Sequence, residues 1–107
     1  MVISKNLTIY YLPGHGGQLA TGLGQGLMDR GFDVTGRETR GDFRMLPFGE
    51  QVQTIVDDLQ SHFWYEQALV ICNSFGSYLF LHTQTQMPTF VGRVLLLSPV
   101  VGEFTNE

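Results

Sequence analysis

The fold is decided by one stretch, residues 68–78, which reads Ala68-Leu69-Val70-Ile71-Cys72-Asn73-Ser74-Phe75-Gly76-Ser77-Tyr78. Its first five residues are apolar without interruption, which is typical of a short strand buried on both faces of a parallel sheet. From Phe75 to about Gln86 the sequence is compatible with a helix, and Pro88 stops it. The stretch therefore predicts a strand that passes directly into a helix, with Ser74 in the turn.

Strands and helices alternate along the rest of the chain. Three more strands are predicted, at Leu7–Leu12, Phe32–Gly36 and Arg93–Ser98. Apolar residues at helical spacing predict two more helices, one around Leu19, Leu23 and Leu27 that closes at Arg30-Gly31, and one from Phe48 to Phe63. Residues 36–45 are predicted to form a loop. This order predicts a single α/β domain over residues 1–107, with a small three-layer parallel sheet of about four strands flanked by helices.

Composition excludes several classes of function. The chain has 107 residues, 43% of them hydrophobic, and a net charge of −4, which disfavours nucleic acid and anionic membrane as partners. Cys72 is the single cysteine, so no intramolecular disulfide and no cysteine-based zinc site is expected. No apolar stretch approaches the roughly 20 residues that span a bilayer, and the N-terminus lacks the features of a signal peptide. These two observations lead us to expect a cytoplasmic protein. No cofactor or metal is expected, because no phosphate-binding glycine motif or metal-binding histidine spacing is present.

The turn at Ser74 carries the chemical information. A serine on a sharp turn between strand and helix needs small residues two positions before and after it, here Cys72 and Gly76. This pattern resembles the G-x-S-x-G nucleophile elbow of the α/β-hydrolases, with cysteine in place of the first glycine. The resemblance implies that Ser74 is a nucleophile. The alternative is that Ser74 is simply the N-cap of the following helix.

Two further segments strengthen the resemblance. His15-Gly16-Gly17 follows the first strand and is similar to the H-G-G loop of the family, which implies that the Gly17 and Phe75 amides form an oxyanion hole. The alternative is an ordinary glycine-rich turn. Glu38-Thr39-Arg40-Gly41 is similar to an acidic-x-Arg-Gly loop in the family. The family topology implies the strand order Phe32–Gly36, Leu7–Leu12, Ala68–Cys72, Arg93–Ser98, all parallel, with Ser74 and Gly17 meeting at the carboxyl edge.

The rest of a catalytic triad is missing from this sequence. In the family the acid and the histidine follow later strands, and only one predicted strand follows Ser74. His82 lies about two helical turns beyond Ser74, out of hydrogen-bond reach, and His62 ends a predicted helix. His15 remains a low-ranking candidate for the base, and Glu103 is an acid in the C-terminal tail.

Three hypotheses of function follow. The first is a partial serine acyl hydrolase, esterase- or lipase-like, that acts on a small ester or acyl ligand and is weak or inactive alone. Its base would come from a partner subunit or from further chain. The second is a non-catalytic binding or assembly module, and the third is a fragment of a larger hydrolase. The apolar strand at Val94–Leu97 predicts a homodimer through this edge strand or the adjacent helices.

Overall fold

A four-stranded parallel sheet forms the centre of the computed structural model, which describes residues 7–97 of the chain. Its strands are β1 (Thr8–Leu12), β2 (Asp33–Gly36), β3 (Leu69–Asn73) and β4 (Arg93–Leu97). They lie in the order β2-β1-β3-β4 and every neighbouring pair is parallel. The predicted α/β class, strand order and strand direction are therefore confirmed. Ser98, the last residue of the fourth predicted strand, lies outside the described residues, as does Glu103.

The helices agree with the predicted ones in position and differ in length. They are α1 (Gly22–Asp29), α2 (Gly41–Met45), α3 (Phe48–His62) and α4 (Phe75–Thr83). Helix α1 begins after Leu19, and α4 ends three residues before Gln86. The prediction of a loop over residues 36–45 is wrong for its second half, because α2 forms there. Five residues are too few to show helical periodicity, so the sequence pattern did not reveal this helix.

The two faces of the sheet are covered unequally. On one face α3 and α4 bury a large apolar cluster, to which α3 contributes Val52, Ile55, Val56 and Leu59. These residues follow the predicted apolar stripe of that helix. The other face has a smaller cluster, whose buried residues are Ile9, Tyr11 and Ile71. The main core therefore lies between the sheet and the α3–α4 layer.

A polar group anchors α3 to the first two strands. Asp58 of α3 accepts a hydrogen bond of 2.6 Å from the Tyr10 hydroxyl. It also forms a two-point ion pair with Arg37, at 2.7 and 2.8 Å. Burial and the neighbouring Asp58 carboxylate raise the pKa of Tyr10 above its ordinary value. Tyr10 therefore stays protonated and donates, and the three side chains fix the position of α3 over the sheet.

Strand β4 forms one edge of the sheet. Val94 and Leu95 are 36% and 48% exposed, so apolar side chains reach the surface along this edge. A membrane-spanning helix would need to be longer and more apolar than any helix among residues 7–97. The sheet places the ends of β1 and β3 side by side, with Leu12 paired to Cys72. The residues that follow these two ends form the candidate site.

Candidate active site

Ser74 makes the entire turn between β3 and α4, and its backbone is strained. Its φ is +51° and its ψ is −113°, and it is the one non-glycine residue with a positive φ in the part of the chain that the structure describes. Such a conformation costs a side chain-bearing residue about 1–3 kcal/mol. Ser74 stands at the N-cap position of α4, yet its side chain makes no capping hydrogen bond. An ordinary N-cap serine has an extended backbone and uses its oxygen as a cap, so the structure argues against the N-cap alternative.

The small residue two positions after Ser74 is required by the packing of α4 on β1. A Cβ at Gly76 would lie 2.0 Å from the carbonyl oxygen of Leu12 and 2.7 Å from that of Pro13. Both contacts are with backbone, which a change of rotamer cannot relieve. The steric reason for glycine in the S-x-G part of the motif is therefore present in this protein.

Cys72, two positions before Ser74, is fully buried in the main core. Burial raises the pKa of its thiol well above the ordinary value, so the thiol stays protonated. It faces the same core as Leu12 and Leu79. Cys72 is thus a small, protonated core residue.

The end of β4 is hydrogen-bonded to the turn at Ser74, which we call the elbow. The Ser74 amide donates to the Leu97 carbonyl at 2.9 Å, and the Ser77 hydroxyl donates to the same carbonyl at 3.3 Å. The Tyr78 amide in turn donates to the Ser74 carbonyl at 3.2 Å, which closes the first turn of α4. The backbone of Ser74 is therefore restrained by β4 and by α4 together.

Residues 13–21 connect β1 to α1 and form the glycine loop, which approaches Ser74 through Gly14. A Cβ on Gly14 would lie 3.7 Å from the Cβ of Ser74 and 3.9 Å from the carbonyl oxygen of Asn73. The next residue, His15, has its ring centroid 5.1 Å from that of Phe75, edge to face. The loop and the turn at Ser74 therefore meet at the carboxyl edge of the sheet, through Gly14.

Gly17 has a different position from the one that the resemblance implies. Its N–H donates to the Thr39 hydroxyl and to the Gly14 carbonyl, each at 2.9 Å. An amide directed at two acceptors inside the protein does not point at an oxyanion beside Ser74. The prediction that Gly17 is an oxyanion donor is therefore wrong for this structure, and Gly14 is the loop glycine that lies against Ser74.

Thr39 clamps the glycine loop, a role that the sequence did not reveal. Its hydroxyl accepts from Gly17 and donates to the Gly14 carbonyl. Its backbone carbonyl accepts from the Gly16 amide at 2.9 Å, and its amide donates to the Gly17 carbonyl at 3.2 Å. Thr39 is 1% exposed. Because it stands between two charged residues, the local pattern gave no sign of burial.

Glu38 extends this clamp along the loop. Its Oε2 accepts a hydrogen bond of 2.9 Å from the Leu19 amide. Together, Glu38 and Thr39 hold the loop that begins at Pro13 in place over the ends of the strands. Residues 38 and 39 thus have a structural role in this protein.

Two of the three histidines lie within helices, His62 in α3 and His82 in α4. His82 packs against Tyr78 and Phe48, with ring centroids 4.6 and 5.0 Å apart. His62 lies in the last turn of α3, where a basic side chain complements the helix dipole. His15 is the histidine at the elbow. Within residues 7–97, no three histidine, cysteine or acidic side chains are grouped so as to hold a metal ion.

A cavity of about 340 Å³ opens beside the elbow. One wall is aromatic and consists of His15, Phe48, Phe75 and Tyr78. The His15 ring contacts that of Phe75, Phe75 contacts Tyr78, and Tyr78 contacts Phe48, with centroids 5.1 to 6.2 Å apart. The remaining wall is polar.

The polar wall consists of Thr39, Arg44 and Gln51. Gln51 is buried, and its Nε2 donates to the carbonyls of Arg44 and Leu46 at 3.3 and 3.0 Å. These bonds join the end of α2 to α3. The sequence did not predict this cavity, because its lining comes from the loop after β1, the segment between β2 and α2, and three separate helices.

Comparison with protein-family models, with curated proteins and with solved structures gave no match to this chain. The resemblance to the α/β-hydrolases therefore depends on the motifs and on the geometry of the turn at Ser74.

Proposed function

We propose that this chain carries the nucleophile half of a serine acyl hydrolase, esterase- or lipase-like in its chemistry. The observation that supports it is the strained backbone of Ser74, at φ +51° on a turn between a buried strand and a helix. This turn needs glycine at position 76 because of the carbonyl oxygen of Leu12. Strain of this kind persists only where the surrounding structure imposes it, and it is concentrated at functional sites.

In the proposed reaction the Ser74 hydroxyl oxygen attacks the carbonyl carbon of an ester. A base removes the hydroxyl proton, the carbonyl oxygen becomes an oxyanion, and the alcohol leaves with a proton as the acyl-serine forms. The Phe75 amide opens α4, at the positive end of the helix dipole, where the family places one oxyanion donor. We expect the second donor in residues 14–15, because Gly14 is the loop residue against Ser74.

The general base that would accept the Ser74 proton has one candidate in this chain. His15 is the histidine beside the elbow, where its ring packs on Phe75. The alternatives are a histidine of a partner subunit or of further chain beyond this sequence, since His15, His62 and His82 are the histidines of residues 1–107. A serine without a positioned base is a weak nucleophile, so we expect the chain alone to be weak or inactive. Oxyanion donors and binding can still accelerate acyl transfer by roughly 10³–10⁴ over water.

A fluorophosphonate probe tests this proposal. We expect slow labelling of Ser74, detected by mass spectrometry of the intact protein, and no labelling of Ser74→Ala. Ser61→Ala is the matched control, because Ser61 is exposed on α3, and it should label like the wild type. Rapid, stoichiometric labelling that is lost in His15→Ala would identify His15 as the base. Labelling that survives in Ser74→Ala would refute the nucleophile.

A second candidate function is a binding or assembly module, favoured by the edge strand β4. Val94 and Leu95 expose apolar surface there, and an edge strand also presents unpaired backbone groups. We propose a homodimer through this edge or the helices beside it. Leu95→Lys should then shift the dimer toward monomer in light scattering, and a wild-type monomer at tens of micromolar would contradict the proposal.

The compartment is a proposal of the same kind. Cys72 is the single cysteine of the sequence, and it is buried and free. Free thiols of this kind are compatible with a reducing compartment, and we propose the cytoplasm.

A further inference from the structure

The cavity beside the elbow has the features of a ligand pocket. Its volume of about 340 Å³ is at the lower end of the range of small-molecule sites. Phe75 follows Ser74 directly, and His15 follows the glycine that lies against Ser74. A ligand in this cavity would therefore have one end next to the serine hydroxyl. A space of this size takes a single ring or a short branched chain.

The walls of the cavity divide into an apolar and a charged part. The rings of Phe48 and Tyr78 are tilted against each other with centroids 5.6 Å apart, and they extend the aromatic wall beyond Phe75. Arg44 is the permanently charged residue of the lining, which includes no carboxylate. The ion pair found among residues 7–97 joins Arg37 to Asp58 and leaves the Arg44 guanidinium without an acidic partner in that part of the chain.

A guanidinium at the rim of an aromatic pocket suits an anion attached to an apolar group. The planar fork of arginine binds a carboxylate through two parallel hydrogen bonds. A single arginine matches the charge of one carboxylate, whereas a phosphate dianion usually receives several donors. The aromatic rings would bury the apolar part of such a ligand.

We propose that this cavity is the acyl pocket of the Ser74 site and selects small apolar or aromatic acyl groups that carry a carboxylate, which pairs with Arg44. The reaction in this inference rests on the proposed hydrolase function. Binding in the cavity does not, because none of the lining residues is Ser74. Binding and catalysis can therefore be tested separately.

The test measures binding to the full chain carrying Ser74→Ala, so that no chemistry occurs. Phenylacetate, its neutral isostere phenylacetamide, and phenyl phosphate are titrated by NMR and calorimetry. We expect phenylacetate to bind about tenfold more tightly than phenylacetamide, as a charge-assisted hydrogen-bond pair implies. Arg44→Gln should abolish the difference. Arg30→Gln is the control, since Arg30 is an exposed arginine at the end of α1 and outside the cavity lining.

Several outcomes would overturn the inference. They are equal affinity for the acid and the amide, a preference unchanged by Arg44→Gln, or no binding of any probe at millimolar concentration. Tighter binding of phenyl phosphate than of phenylacetate would show that the cavity selects phosphate ligands and would overturn the carboxylate proposal. Arg44-dependent binding of phenylacetate, together with fluorophosphonate labelling that survives in Ser74→Ala, would instead support the pocket and refute the hydrolase.

Discussion

Two connections leave the carboxyl ends of neighbouring strands, and they reach their geometry by opposite means. Between β3 and α4 one residue, Ser74, makes the turn, with a strained backbone and direct contact between Gly76 and the end of β1. Between β1 and α1 the chain takes residues 13–21, and Glu38 and Thr39 hold this loop by hydrogen bonds. The short turn is thus enforced by close steric contact with the neighbouring strand, whereas the long loop is held by hydrogen bonds to residues 38 and 39. The two halves of the site should therefore respond differently to mutation.

The largest effect should follow from Gly76→Ala, which breaks the elbow. Its Cβ would be placed 2.0 Å from a backbone oxygen, so α4 must move away from β1. We expect a loss of about 3 kcal/mol or more in the free energy of unfolding, or failure to fold. Urea denaturation followed by circular dichroism measures it.

Gly49→Ala is the matched control for Gly76→Ala. Gly49 is also a helical glycine, but an added Cβ there meets nothing within 4 Å. Alanine favours the helix, so we expect this change to stabilise the protein by up to about 1 kcal/mol. Equal destabilisation by the two substitutions would show that close packing at Gly76 is not the cause.

An intermediate effect should follow from Thr39→Val, which breaks the loop clamp. Valine has the same shape but removes the hydroxyl that bonds Gly14 and Gly17. The Gly17 amide keeps its bond to the Gly14 carbonyl, so the loss of the two hydroxyl bonds should cost about 1–2 kcal/mol of unfolding free energy. Thr39→Ser, which retains the hydroxyl, should be milder. If Thr39→Val unfolds like the wild type, the loop does not depend on the clamp.

The smallest effect should come from the strain at Ser74. Ser74→Gly relieves a positive φ, and we expect a gain of about 1 kcal/mol over Ser74→Ala, which retains the strain. Ser74→Ala itself should unfold much like the wild type, because the serine side chain makes no capping bond. Chemical denaturation of the three proteins compares them. A loss of about 1 kcal/mol in Ser74→Ala would instead restore the N-cap interpretation.

The prediction from sequence succeeded where a signal lies within a few consecutive residues. The apolar run before Ser74 identified β3, and the spacing from Val52 to Leu59 identified the buried face of α3. It failed for Gly17, whose amide is directed at a residue far along the chain. It also missed the short helix α2, which has too few residues for a periodic pattern.

By itself the sequence determines the four strands and the strand–turn–helix unit around Ser74, because continuous apolar runs and the small residues around the serine are patterns of consecutive positions. The reason for glycine at position 76, contact with the Leu12 carbonyl, appears only in the tertiary structure. Only the tertiary structure decides which amides face the serine and which cation lines the cavity. Thr39 and Arg44 look like ordinary residues of a charged loop, and they acquire their roles from neighbours distant in sequence. Hydrogen bonds and cavities of this kind depend on how separate connections meet at the sheet edge, which no local pattern encodes.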